Sequence, residues 1–289
     1  MILITGASGS VGREVVREVQ KTGQAFCAMY RSKTEAGKAP AGVKTAIADF
    51  GDTTSLSSAL QRVDRVYLVC SPIQELVQLE GNAIDACKKA GVKRIVLNSA
   101  LGAGDYDKSF PSWHRKVEDK LKASGIEFVI LRPNGFMQNT ITYLAPSIKA
   151  QGAFYDAMGS AKTSYIDVRD VAAVAAKTLT TDDHAGKIYE LNGPEAITQD
   201  DLARRIAAKS GRAVKHVNIP REAHQKAMLD LGMPAWQVTA LIDLQDYYVS
   251  GRAAAVDGTV EKVLGRPART IDAFLTEYAN EFRGQAAGA

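Results

Sequence analysis

The chain opens MILITGASGSVG, Met1 to Gly12. Met1 to Thr5 is a short apolar run that reads as a strand buried on both faces of a parallel sheet. Glycines then stand at 6, 9 and 12, and Val11, Val15, Val16 and Val19 recur at helical spacing. Strand, glycine turn and helix follow in the order a dinucleotide site requires. Gly6 is expected to make the tight turn and Gly9 to let the backbone approach a pyrophosphate. Gly12 is expected to let the helix pack close to the sheet. The backbone at Ser8, Ser10 and Val11 lies at the helix amino end. There it offers N–H groups and the positive end of the helix dipole to the phosphates. Three glycines alone would mark no more than a turn; the flanking elements supply the context.

Outward from this stretch, short apolar strands alternate with helical segments. Gln24 to Tyr30, Val43 to Ala48, Arg65 to Cys70, Arg94 to Ser99 and Glu127 to Leu131 read as the second to sixth strands. Leu76 to Ala90 carries helical spacing. The alternation predicts an α/β fold built on a doubly wound parallel Rossmann sheet with right-handed crossovers. After Ala150 the pattern loosens. Strands are expected at Ser164 to Val168, Lys187 to Leu191 and Arg212 to Ile219. Helices are expected at Asp170 to Leu179, Arg221 to Leu231, Ala235 to Val249 and Thr270 to Phe282. Thr198 and Asp201 make a weak capping box. The Gly/Ala-rich tail after Arg283 is expected to be disordered. There is no internal repeat.

The net charge of +4 is slight, and lysines and arginines are interleaved with acids, so nucleic-acid binding is not expected. Cys27, Cys70 and Cys87 are scattered, and the four histidines lie far apart, so no metal site is read. No apolar run is long enough to span a bilayer, and a strand at residue 1 leaves no room for a signal peptide. The expectation is a soluble, cytoplasmic protein.

Arg31-Ser32-Lys33 follows the second strand, where an acid would bind the ribose hydroxyls of NAD. Two cations there, with no carboxylate opposing them, match a 2′-phosphate and favour NADP(H) over NAD(H). Asp49 reads either as a contact to the adenine amino group or as an Asx-turn, and Phe50 as a cover for the ring. Cys70, Ser71 and Pro72 end the fourth strand on the carboxyl edge, where the loop is expected to run beside the cofactor.

These residues resemble the extended short-chain dehydrogenase/reductases, and within them the NmrA-like atypical group. The likeness is carried by ITGASGSVG, Tyr30-Arg31, Ala48-Asp49 and the run Ala90 to Val96. It continues through Ser124-Gly125-Ile126, Leu131 to Met137, Asp167 to Ala172 and Tyr189 to Pro194. The resemblance extends to bacterial quinone oxidoreductases and to triphenylmethane- and azo-dye reductases. It implies an NAD(P)-binding core over 1–150. It also implies a smaller, mostly helical substrate-side lobe over 151–289, with elements returning to the core. Trp236, Tyr247 and Tyr248 line the cleft of that lobe or form its core.

The wider family places a serine after the fifth strand and a Tyr-x-x-x-Lys pair on the next helix. Ser99 matches the serine. Glu118 matches a glutamate common in the resembling group, which puts His114 at the lysine position and Phe110 at the tyrosine position. Phenylalanine has no hydroxyl, so the tyrosine relay cannot operate, and alcohol dehydrogenase or epimerase chemistry loses its acid/base step. His114 is read as a contact to the nicotinamide ribose, as a proton donor with a near-neutral pKa, or as a buried structural residue. Ser99 orients the nicotinamide or satisfies the strand end; Glu118 is read as structural.

Hydride transfer to a conjugated acceptor survives without the tyrosine. Asn134, Phe136 and Met137, with Tyr143 and Tyr155 further on, are the candidate acceptor contacts, although a Phe-Met pair also suits a core. The expected function is an NADPH-dependent reductase of quinones or dyes, with a homodimer as a possible assembly. The alternative is a dinucleotide-sensing regulator without turnover, as the resemblance to fungal NmrA proteins allows.

Overall fold

Ile2, Leu3 and Ile4 form β1, and none is more than 3% exposed. Ile2 and Ile4 enter one core and Leu3 the other, as a strand covered on both faces must. The computed structural model describes residues 1–284; the expected disordered tail otherwise lies outside the described residues.

From β1 the chain runs through α1 (Ser10–Lys21), β2 (Phe26–Tyr30), α2 (Lys33–Ala36), β3 (Thr45–Ile47), α3 (Thr53–Ala59) and β4 (Arg65–Leu68). It continues through α4 (Leu76–Ala90), β5 (Arg94–Asn98), α5 (Ser109–Ser124) and β6 (Glu127–Pro133). Then come α6 (Ala145–Gln151), β7 (Ala153–Asp156), α7 (Val168–Thr180), β8 (Ile188–Leu191) and α8 (Gln199–Ser210). β9 (Lys215–Asn218), α9 (Arg221–Asp230), α10 (Ala235–Val249), α11 (Thr259–Leu264) and α12 (Ile271–Glu277) complete the order.

Seven parallel strands form the main sheet in the order β3-β2-β1-β4-β5-β6-β8. Val15, Val16 and Val19 of α1 pack with Val171, Val174 and Ala175 of α7 on one face. Leu56 of α3, Ile84 of α4, and Val117 and Leu121 of α5 cover the other. The order reverses between β1 and β4, which opens a crevice at their carboxyl ends. The expected Rossmann architecture is therefore the observed one.

β7 and β9 form a separate parallel pair over a third core around Ile148, Phe154, Leu202, Phe274 and Phe282. α9 and α10 share a small cluster of Met228, Val238 and Ile242. Thr198 caps α8 in a true capping box with Asp201.

Two expected elements fail, and one strand had no expectation. Ser164 to Val168 is not a strand: only Ile166 makes a bridge there, to Phe136, because Asp167 caps α7 by accepting from the Arg169 N–H at 2.9 Å. The helix expected over Thr270 to Phe282 breaks at Tyr278 and resumes as a 3-10 turn. β7 was not anticipated, because Ala153, Phe154 and Asp156 are all buried and its pattern does not alternate.

Candidate active site

The glycine turn comes first. Gly6 has φ +60°, and a Cβ built there would stand 2.6 Å from Val69 Cγ1. At Gly12 a Cβ would stand 2.1 Å from the Gly6 carbonyl oxygen. Gly12 thus lets α1 lie close against the turn that leaves β1. The Gly9 N–H donates to the Gly6 carbonyl at 2.9 Å. Gly9 then precedes α1 without a side-chain cap, and the first turn of α1 holds no acid. Among the described residues the amides of Ser10, Val11 and Gly12 find no acceptor. Ser8, Gly9 and Ser10 are exposed. Free amides and the dipole end face an open cradle, which fits a diphosphate.

Arg31 and Lys33 are exposed beyond β2, and neither side chain is ion-paired among the described residues. As expected, no carboxylate pairs with either cation among the described residues; Glu35, in the same turn, accepts from the Arg31 backbone N–H at 3.3 Å. Asp49 makes the Asx-turn, accepting from the Gly51 N–H at 2.7 Å. Phe50 is not an open cover for a ring: it is 8% exposed and packs in the core under α3 and α4. Ser71 and Pro72 are exposed on the sheet edge, and Cys70 is half-buried. Burial, with Glu80 close by, pushes the Cys70 thiol up to about 12. Glu80 is wholly buried in α4, and neither carboxyl oxygen has a hydrogen-bond partner among the described residues. Burial pushes it up to about 8.

At the end of β5 the serine hydroxyl is engaged by a side chain. Ser99 is 2% exposed, and its hydroxyl donates to Glu118 Oε1 at 2.7 Å. Arg132 of β6 donates to the same carboxylate from Nε at 2.9 Å and from Nη2 at 2.7 Å. Burial alone would raise the Glu118 pKa; hydrogen bonds from Arg132 and Ser99, with the charges of Arg132 and Lys122, outweigh it and hold it below the usual range. Ser99, Glu118 and Arg132 thus tie β5, α5 and β6 together. Arg132 had no place among the expected site residues. Its one sequence signal is a cation inside the apolar run EFVILRP.

His114 is 7% exposed, and its Nδ1 is sealed off without a hydrogen-bond partner among the described residues. Burial pulls its pKa from 6.5 down to about 4, against the opposing charge of Glu118. The expected near-neutral donor is corrected: at neutral pH the ring is uncharged. Phe110 is buried and meets Trp113 edge-on at 5.2 Å.

The expected acceptor contacts separate. Asn134 is 3% exposed, and its amide is fully engaged, donating to Asn192 and to the Ala253 carbonyl and accepting from the Gly135 N–H. Met137 is 1% exposed in the third core, so it is a packing residue. Phe136 is half-buried beside Ile166. Tyr143 is 66% exposed on a short π-helical turn. Tyr155 pairs with Val217 in the small sheet, and its hydroxyl donates to Gln151 at 3.1 Å, a place set by β7 and not by the main sheet edge.

α10 closes over the loop between β5 and α5. Tyr106 donates to the Asp243 carbonyl at 3.0 Å, Ser109 donates to the Asp243 carboxylate, and Trp236 tilts against Trp113 at 6.3 Å. Gly102, with φ +87°, leaves space for Tyr247, whose ring would stand 3.0 Å from a Cβ there.

A family model described as NAD(P)H-binding matches residues 6–182, from the glycine turn past α7. The chain belongs to this NAD(P)H-binding family. It is 36% identical over 284 residues to an NAD(P)H azoreductase of Xenophilus azovorans, covering 98% of this chain and 99% of that one. It is 32% identical over 275 residues to quinone oxidoreductase 2 of Escherichia coli, covering 94% and 96%. A solved NADPH complex of the NADPH-dependent quinone oxidoreductase from Escherichia coli superposes with a TM-score of 0.89 at 31% identity, covering 96% and 99%. Family, fold and relatives agree with the NmrA-like resemblance, and the cradle at Gly6 to Gly12 agrees with NAD(P)H binding.

Proposed function

We propose that this NAD(P)H-dependent oxidoreductase reduces a flat, conjugated acceptor of the quinone or azo-dye class, with NADPH favoured over NADH. The observation that carries the acceptor class is the α5 face. Phe110 stands where a relay tyrosine would, and His114 beside it is neutral at working pH. Among the described residues of that face no charged acid is poised for an alkoxide, whereas a conjugated acceptor distributes the incoming charge and takes its proton from water. The names of the two relatives point the same way and favour turnover over dinucleotide sensing.

Bound NAD(P)H supplies the hydride. The amides of Ser10, Val11 and Gly12 hold the diphosphate. Arg31 and Lys33 hold the 2′-phosphate, and the exposed Ser71-Pro72 loop borders the cofactor. The Ser99–Glu118–Arg132 hydrogen bonds fix the ends of β5 and β6, and so act by positioning. α10 and its neighbours contribute the acceptor side, together with half-buried Phe136 and exposed Tyr143 as candidate contacts.

The test is NADPH oxidation, followed by absorbance, against quinones, azo dyes, triphenylmethane dyes and simple ketones. Turnover confined to the conjugated acceptors is expected. Turnover of ketones alone, or of none of the panel, would overturn the proposal.

A further inference from the structure

The corner beyond β2 holds opposite charges. Arg31 leaves the strand exposed, and its guanidinium makes no hydrogen bond or ion pair among the described residues. Ser32 caps the short α2, accepting from the Glu35 N–H at 3.2 Å. Glu35 returns the contact: Oε2 accepts from the Arg31 N–H at 3.3 Å. Each end of this turn therefore holds the other, and Ala36 anchors it on the core. The outcome is a carboxylate held against the first residue past β2, with Oε1 free of protein donors among the described residues. In a doubly wound sheet this is where the adenosine ribose rests.

We infer that Glu35 is a cofactor-selecting residue that accepts a ribose hydroxyl, so that the chain uses NADH beside NADPH. The inference rests on the placement of Arg31 and Lys33 at the 2′-phosphate given above, and it deepens that reading. With NADPH the two cations attract the phosphate while Glu35 repels it, and the preference is blunted. With NADH the 2′-hydroxyl donates to Oε1, and the carboxylate adds affinity. An acid in this role ordinarily sits at the strand end itself. Here the strand end is Arg31, and the acid is returned to it by one turn of helix, which is why strand-end reading passes over it.

Opposite signs on two cofactors make the test. Calorimetric affinities for NADP+ and NAD+ are measured on the wild type, Glu35→Gln, Glu35→Ala and Arg31→Ala, with thermal unfolding as a check on the fold. Glu35→Gln keeps an oxygen for the Arg31 amide, so it removes charge without removing the turn. It is expected to tighten NADP+ and weaken NAD+, each by about 5-fold, the size of a partly exposed charged contact. Glu35→Ala should do the same or more. Parallel changes for both cofactors in Glu35→Gln, or none, would overturn the inference and leave Glu35 a residue of the turn alone. Arg31→Ala reads the underlying placement separately: it should weaken NADP+ and spare NAD+. Unchanged NADP+ affinity in Arg31→Ala would overturn the phosphate placement and this inference with it. A wild type that binds neither cofactor would overturn both as well, at the level of the glycine cradle.

Discussion

A histidine sealed in a helix face behaves unlike one in water. The His114 pKa falls from 6.5 to about 4 on folding, so between those values the unfolded chain takes up a proton that the folded chain refuses. Its contribution to stability is complete above pH 6.5 and is lost as pH falls toward 4, a change of about 3 kcal/mol for a group so deeply buried. Glu80, pushed up to about 8, works in the opposite sense over the same range, so the His114 part is read as the difference between wild type and His114→Gln in urea unfolding from pH 7.5 to 4.5; a difference that does not change with pH would put the proton elsewhere. The rate with a saturating quinone should stay level from pH 6 to 8, since the ring does not titrate there. Glu118 carries the companion effect at lower pH: its stability is present above the usual carboxylate range and lost as pH falls through its depressed folded value. Arg132→Met would leave Glu118, 0% exposed, without its main partner. It should cost about 3–5 kcal/mol at pH 7. The loss should shrink in acid, because the unpaired carboxyl then protonates. A loss independent of pH would mean that Arg132 matters for packing alone.

The glycine turn and α1 were legible because each local signal agreed: an apolar strand, glycines at fixed spacing and a valine stripe. Leu76–Ala90 and Ala235–Val249 match their expected bounds for the same reason. What stayed hidden was set by partners distant in sequence. Ser99 shows its role only once Glu118 and Arg132 meet it, and Met137 is a core residue only because β7 and α8 build a core around it. Glu35 was missed for a local reason, since its placement depends on a cap rather than on strand periodicity. Within the turn, the glycines differ in what they tolerate. Gly12→Ala sets a methyl against the Gly6 carbonyl and should destabilise by about 1–3 kcal/mol, as overpacking does. Gly9→Ala, with its Cβ 3.2 Å from that carbonyl, should keep the fold and lose cofactor affinity. Melting and calorimetry on both variants check this, and equal melting temperatures would refute the distinction.

The sheet sets the glycine turn, Arg31, Ser71 and Ser99 along its carboxyl edge, and α10 roofs the part beside α5. Among the described residues no helix is long and apolar enough to cross a bilayer. The contact between α5 and α10 also has an optical side. Trp113 and Trp236 are the chain's two tryptophans, and both stand at this one seam, next to His114. All the indole emission thus issues from the place where the roof meets the reductase core. Rings 6.3 Å apart should couple in near-ultraviolet circular dichroism, and Trp236→Phe should abolish the coupled band while far-ultraviolet spectra stay native. The protein carries its own lamp at the cleft: acceptor binding that shifts α10 should change colour and intensity of emission, with no label attached.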